Sequence, residues 1–200
     1  SASNITTTAG GADAETDEQL RERIILAPSA FSTAGSVESY IFHAKTASVL
    51  IVDVAVTNPV PGQVNVYPLV FGGGTTPTEI LELVEDALSD ERVRPLTDTV
   101  LVISPTTVFY TIEVDLTLYT TAIQAETVAE VEANLEAFKD AKGEKLGIDI
   151  MISQIIANCT KVAGVYDVEV TSPASDTIIS AIEVGICTAV TVNVIGTNEG

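Results

Sequence analysis

The sequence predicts an α+β protein built from two related modules, each a small mixed or antiparallel sheet covered by helices. Alternating runs rich in Val, Ile and Thr read as strands, and they are interleaved with stretches of helical 3.6-residue period. The segments IVDVAVTNP (Ile51 to Pro59) and VYDVEVTSP (Val165 to Pro173) share Asp, two Val, Thr and Pro in register. Each follows a predicted helix and precedes a strand containing Val-Asn-Val, at Val64 to Val66 and Val192 to Val194. Strand composition is biased enough that unrelated strands also look alike. Taken as a repeat, the pair sets a boundary near Pro105, with modules at residues 1–104 and 105–200.

Thr16 is placed to cap the first helix, with Gln19 at the capping-box position and Asp17 and Glu18 at the positive end of the helix dipole. Leu20, Ile24 and Ala27 are expected on one face, Arg21 and Arg23 further along, and Pro28 at the stop. After a Ser/Thr/Gly stretch from Ser32 to Ser36, a second helix over Val37–Ala47 presents Val37, Tyr40, Ile41 and Ala44. Strands at Ile51–Thr57 and Gln63–Val70 flank the turn Asn58-Pro59-Val60-Pro61-Gly62. A Gly72-Gly73-Gly74 hinge leads to a helix with Thr76 as cap, Pro77 first and Glu79 third, burying Ile80, Leu81, Val84 and Leu88. A short strand, Thr99–Ile103, ends at Ser104-Pro105.

The second half opens with Val108–Thr120, where Ile112, Val114, Leu116 and Leu118 alternate with Glu113, Asp115 and Thr117 in the pattern of a strand with one wet face. A helix over Glu126–Lys142 has Val128, Val131, Leu135 and Phe138 on one side and Gly143 at its end. Ser153 is placed to cap a further helix through Cys159. Strands Val165–Thr171 and Cys187–Ile195 complete the pattern.

Composition narrows function. Of 200 residues, 46% are hydrophobic and 18% charged, enough for a real core and unlike a disordered chain. No apolar run approaches the roughly 18 residues that span a bilayer, so a soluble protein without membrane insertion is expected. The N-terminal residues show no signal-peptide pattern, and the missing Met points to a processed chain or a piece of a longer one. With 28 acidic and 9 basic residues the net charge is −19, which repels phosphate backbones. The basic candidates, Arg92 with Arg94 and the trio Lys139, Lys142 and Lys145, are too sparse for nucleic acid. Cys159 and Cys187 lack CxxC spacing, and one His leaves no Cys/His zinc set. They read as buried, inert thiols, with a disulfide between them left open.

No catalytic, cofactor or metal constellation emerges, and no small-molecule substrate is implied. Asp13, Glu15 and Asp17 have the spacing of half a calcium loop, but the sixth position is not Gly and the twelfth is Ile24. A cation-dependent hydrolase on this cluster would need that missing half. His43 reads as a packed or surface residue, unless a neighbour such as Asp53 orients it for catalysis. Gly72 to Thr76 precedes a helix as an anion loop would, yet lacks the Lys of a P-loop and the GxGxxG pattern.

The blocks GGADAETDEQLRERI, LAPSAFSTAGSVESYIFHA, VRPLTDTVLV, LGIDIMISQII, GVYDVEVTSP and ICTAVTVNVIG occur in this order from Gly10 to Gly196. Together they resemble the baseplate J-like proteins of contractile-tailed phages, with related members in phage-tail-like bacteriocins and injection systems. The resemblance implies a non-enzymatic wedge component of the tail baseplate. Its partners would be another copy of itself and other tail proteins, and its rearrangement would release sheath contraction. It also implies a further N-terminal portion in the complete protein. A peripheral module binding a host surface ligand is the alternative. Leu20, Arg21, Arg23 and Ile24 on the first helix are the expected interface residues.

Overall fold

The computed structural model describes residues 15–31, 36–89, 93, 95 and 97–199. In chain order they form α1 (Asp17–Leu26), a 3-10 turn (Ala27–Phe31), α2 (Val37–Ala47), β1 (Ile51–Val60), β2 (Gln63–Val70), α3 (Thr78–Ser89) and β3 (Thr99–Val102). There follow β4 (Thr106–Tyr119), α4 (Gln124–Gly143), α5 (Ile152–Thr160), β5 (Val165–Ser172) and β6 (Glu183–Asn198). The α+β class holds, as two three-stranded mixed sheets, β1-β2-β3 and β5-β4-β6.

In the first sheet β1 and β2 form an antiparallel hairpin, and α3 carries the chain across to β3, which runs parallel to β2. In the second, β5 is antiparallel and β6 parallel to the central β4. The two similar segments, β1 and β5, take the same place, each the antiparallel edge strand of its sheet. Their Val-Asn-Val strands do not: β2 pairs with β1, whereas β6 lies on the far side of β4.

Each sheet has its own core. The first gathers Tyr40 and Ala44 from α2, Ile51, Val54, Val64 and Val66 from the hairpin, and Ile80, Val84 and Leu88 from α3. The second is centred on β4, whose Ile112, Val114, Leu116 and Leu118 are at most 1% exposed, as the alternation predicts. Val131 and Leu135 of α4 and Ile155 and Cys159 of α5 close over them. Burial of this kind contributes roughly 25 cal/mol per Å² of apolar surface and dominates the stability of each half. Val37 is 49% exposed, and Leu81, Val128 and Phe138 are half-buried, so these expected core positions flank the cores instead.

Several local expectations are corrected. Pro28 is not among them: α1 ends at Leu26, just ahead of it, and the chain continues as a 3-10 turn. Thr76 does not cap α3: its hydroxyl donates to the Pro68 carbonyl at 2.6 Å and its N–H to Ser104 Oγ at 2.9 Å. The helix begins at Thr78, with the Pro77 carbonyl accepting from Ile80 and Leu81. Ser153 does not cap α5, which starts one residue earlier. Asp176, distant in sequence, accepts the Ile152 N–H at 2.8 Å instead. α4 starts at Gln124, and β1, β4 and β6 all run longer than their alternation indicates. At Thr16 the capping box forms as expected, with Thr16 Oγ1 accepting from the Gln19 N–H and Gln19 Oε1 from the Thr16 N–H.

Candidate interaction surfaces

The two cores meet at a junction that the sequence pattern does not announce. Leu69 of β2, Leu146 from the loop after α4 and Val184 of β6 form a small buried cluster, with Val52, Ala55 and Ile186 packed against it. A bulge between Ile51 and Asp53 interrupts the alternation of β1. Ile51 and Val54 therefore serve the first core while Val52 and Ala55 face the junction. Asp53 completes the contact. Its Oδ2 accepts the Leu146 N–H at 2.9 Å and its Oδ1 the Val54 N–H at 3.0 Å.

The three glycines before α3 sit beside this junction. All have φ between 68° and 85°, the left-handed region that glycine enters without penalty. A Cβ at Gly73 would fall 2.2 Å from Ile186 Cδ1, so the Ile186 side chain of β6 closes on the turn and would have to shift to admit one. The expected hinge is thus a close contact between the two halves. Of the amides an anion loop would offer, that of Thr76 is spent on Ser104 and that of Gly73 on the Val70 carbonyl.

α1 lies across the same region and presents its faces in an unexpected sense. No residue of the helix is buried. Gln19, Glu22, Arg23 and Leu26, spaced along one stripe, are the half-covered residues, while Leu20, Ile24 and Ile25 are 41%, 61% and 76% exposed. The inward stripe is mainly polar and the outward edge apolar, the reverse of an ordinary surface helix. Leu20 and Ile24 therefore do not pack inward as the periodicity predicts. Arg21 pairs with Glu18 one turn back, and Arg23 with Glu15. Glu22 reaches Lys45 of α2 and, at 3.6 Å, Lys145 of the second half. The Lys45 bond, then the nearby positive charges, hold the Glu22 carboxyl below its ordinary range.

The acidic cluster at the start of the chain is accounted for by these contacts. Glu15 is engaged by Arg23, whose hydrogen bond lowers its pKa, and Asp17 and Glu18 occupy the first turn of α1. Asp13 lies outside the described residues, as do Arg92 and Arg94. Among the described residues no group of three or more His, Cys, Asp or Glu side chains is placed to hold a metal ion, and no helix is long and apolar enough to cross a membrane. His43 packs edge-on against Phe42 at 5.3 Å. Asp53 does not orient it, because both carboxylate oxygens serve main-chain N–H groups.

A cleft of about 390 Å³ opens at the junction, lined among others by Phe71, Lys139, Glu144, Ile186 and Cys187. Cys159 and Cys187 are free thiols, so the open question of a disulfide is settled against one. Burial pushes the Cys159 thiol up to about 11, and burial also raises that of Cys187, whose Sγ donates to the Ala189 carbonyl. Both are kept protonated and poor as nucleophiles. Lys139 is held as a cation by its hydrogen bond to Glu136. The cleft thus joins the exposed ring of Phe71 to Lys139, already paired with Glu136 within the chain.

Comparisons with known proteins add to this geometry. Residues 32–104 match the model of the baseplate J-like central domain, and residues 110–193 that of the baseplate J-like protein C-terminal domain. The chain is 34% identical over 186 residues to baseplate protein J of Escherichia phage P2, covering 92% of this chain and 61% of that protein. Its fold is similar to a chain of the anti-feeding prophage (AFP) baseplate, solved by cryo-EM and 6-fold symmetrised. There the TM-score is 0.51 at 14% identity, with 89% of this chain and 43% of that one covered.

Proposed function

Because the chain belongs to the baseplate J-like family, we propose that it is a structural part of a contractile-tail baseplate. It acts there through protein–protein contacts and without catalysis. The observation that carries this reading is the match of both halves, in order, to the central and C-terminal domains of one baseplate family. The geometry supports it: the two sheets have separate cores, and a compact cluster of Leu69, Leu146 and Val184 joins them. In this role the chain joins other baseplate proteins and a second copy of itself in a wedge, and relays the rearrangement that releases sheath contraction. The net charge of −19 makes nucleic acid an unfavourable partner.

The outward edge of α1 is the surface we assign to those contacts. Leu20 and Ile24, with Ile25 beside them, offer apolar area that the chain itself leaves uncovered. Arg21 and Arg23, already paired to Glu18 and Glu15, form its charged border. Tail particles assembled with the wild-type chain are expected to show it in the baseplate by electron microscopy. Ile24→Glu with Ile25→Glu should lower its incorporation without lowering the melting temperature of the isolated chain. Purified tails that lack the chain altogether would overturn the proposal.

A further inference from the structure

α1 is attached to the rest of the molecule in a way no other helix is. None of its residues joins a hydrophobic cluster, so the usual stabilisation of a surface helix by a buried apolar stripe is missing. What holds it is polar. Gln19 Nε2 donates to the Val49 carbonyl at 3.3 Å, and Glu22 pairs with Lys45 and Lys145. The two lysines belong to different halves, so a single carboxylate ties α1 to both. Gln19 and Glu22 of the helix line a groove of about 260 Å³ together with Val52 and Phe71 of the first half and Glu144 and Lys145 of the second.

We propose that α1 is an electrostatically latched strap over the junction, which detaches as a unit while both cores stay folded. The capping box and the ion pairs within α1 and to Glu15 support the helix while it is docked, and Glu22 keeps it in place; once free, so short a helix frays into a form that trypsin can cut. Detachment uncovers Val52, beside the already exposed ring of Phe71. Ion pairs that solvent reaches, as it does the 43% exposed Glu22 side chain, are weak and screened by salt, whereas the apolar cores are not. Rising ionic strength should therefore open the strap long before it unfolds the chain. This rests on contacts within the chain alone and does not depend on the baseplate reading.

Trypsin reads the opening directly, because Arg21 and Arg23 lie on α1 while Lys139 lies inside α4 and reports unfolding of the second half. Cleavage of the native chain would be followed by mass spectrometry at 0.02 and 0.5 M NaCl, against a peptide of residues 15–31 that corrects for the protease's own response to salt. Glu22→Gln at low salt should raise cleavage after Arg21 and Arg23 by about two- to thirtyfold, the span that two exposed ion pairs allow. High salt should do the same to the wild type and add little to the variant. Lys139 should stay protected throughout. Equal corrected rates in wild type and variant at both salts would overturn the strap. So would Lys139 being cut in step with Arg21 and Arg23, which would mean that α1 opens only by global unfolding.

Discussion

Glu22 shows how much one carboxylate can organise when its neighbours are chosen for it. It faces Lys45 from α2 and Lys145 from the loop after α4, with Glu144 across the groove. Its pKa is lowered first by the Lys45 hydrogen bond. A carboxyl depressed on folding adds stability above its unfolded pKa, about 4.3, and that stability is lost as pH falls through the folded value. Wild type minus Glu22→Gln should therefore show a positive difference in melting temperature at pH 7 that shrinks as pH falls below about 4.3. Screening at this partly exposed site keeps the contribution below about 1 kcal/mol, or about 2–4 °C for a chain of this size. A difference that persists undiminished at pH 3 would mean that the carboxylate charge is not what stabilises.

At the scale of elements, the sequence was legible wherever a local rule decides. The alternation of β4, the capping box of α1 and the apolar stripe of α3 are all encoded within a few residues and form as read. The misreadings share a cause: the deciding partner is far away in the chain. Thr76 has the spacing of a cap, but the buried Pro68 carbonyl competes for its hydroxyl. Ser153 has similar spacing, but Asp176 reaches the start of α5 first. Asp176→Ala should accordingly cost about 1 kcal/mol, the usual loss of an N-cap, and Ser153→Ala close to nothing. Urea midpoints of the two variants test the assignment, and the reverse order would restore Ser153 as the cap. The junction was hidden for the same reason. The one local hint was Asp53, a charge within an otherwise apolar strand. For α1 the hint was Glu22, on the stripe that a periodic reading assigns to solvent.

The whole molecule couples two cores through few residues, and this sets how it unfolds. Leu69 and Val184 are fully buried and Leu146 nearly so, but none of the three belongs to either main core. Their removal should weaken the linkage between the halves more than either half alone. Truncating a buried leucine typically costs about 2–5 kcal/mol, with the lower end expected where the site is at a boundary and can collapse. Asp53→Asn removes one of two acceptor oxygens and turns an amide donor toward a main-chain N–H, a loss of about 1–3 kcal/mol at the same boundary. In calorimetry the wild type should unfold in one transition, and Leu146→Ala combined with Asp53→Asn should resolve two. Leu135→Ala, inside the second core, is the control: it lowers stability by a comparable amount but leaves the linkage intact, so its effect should spread through both halves. If the junction variant instead melts in one shifted transition, the coupling lies elsewhere, and the cleft contact between Gly73 and Ile186 becomes the next place to cut.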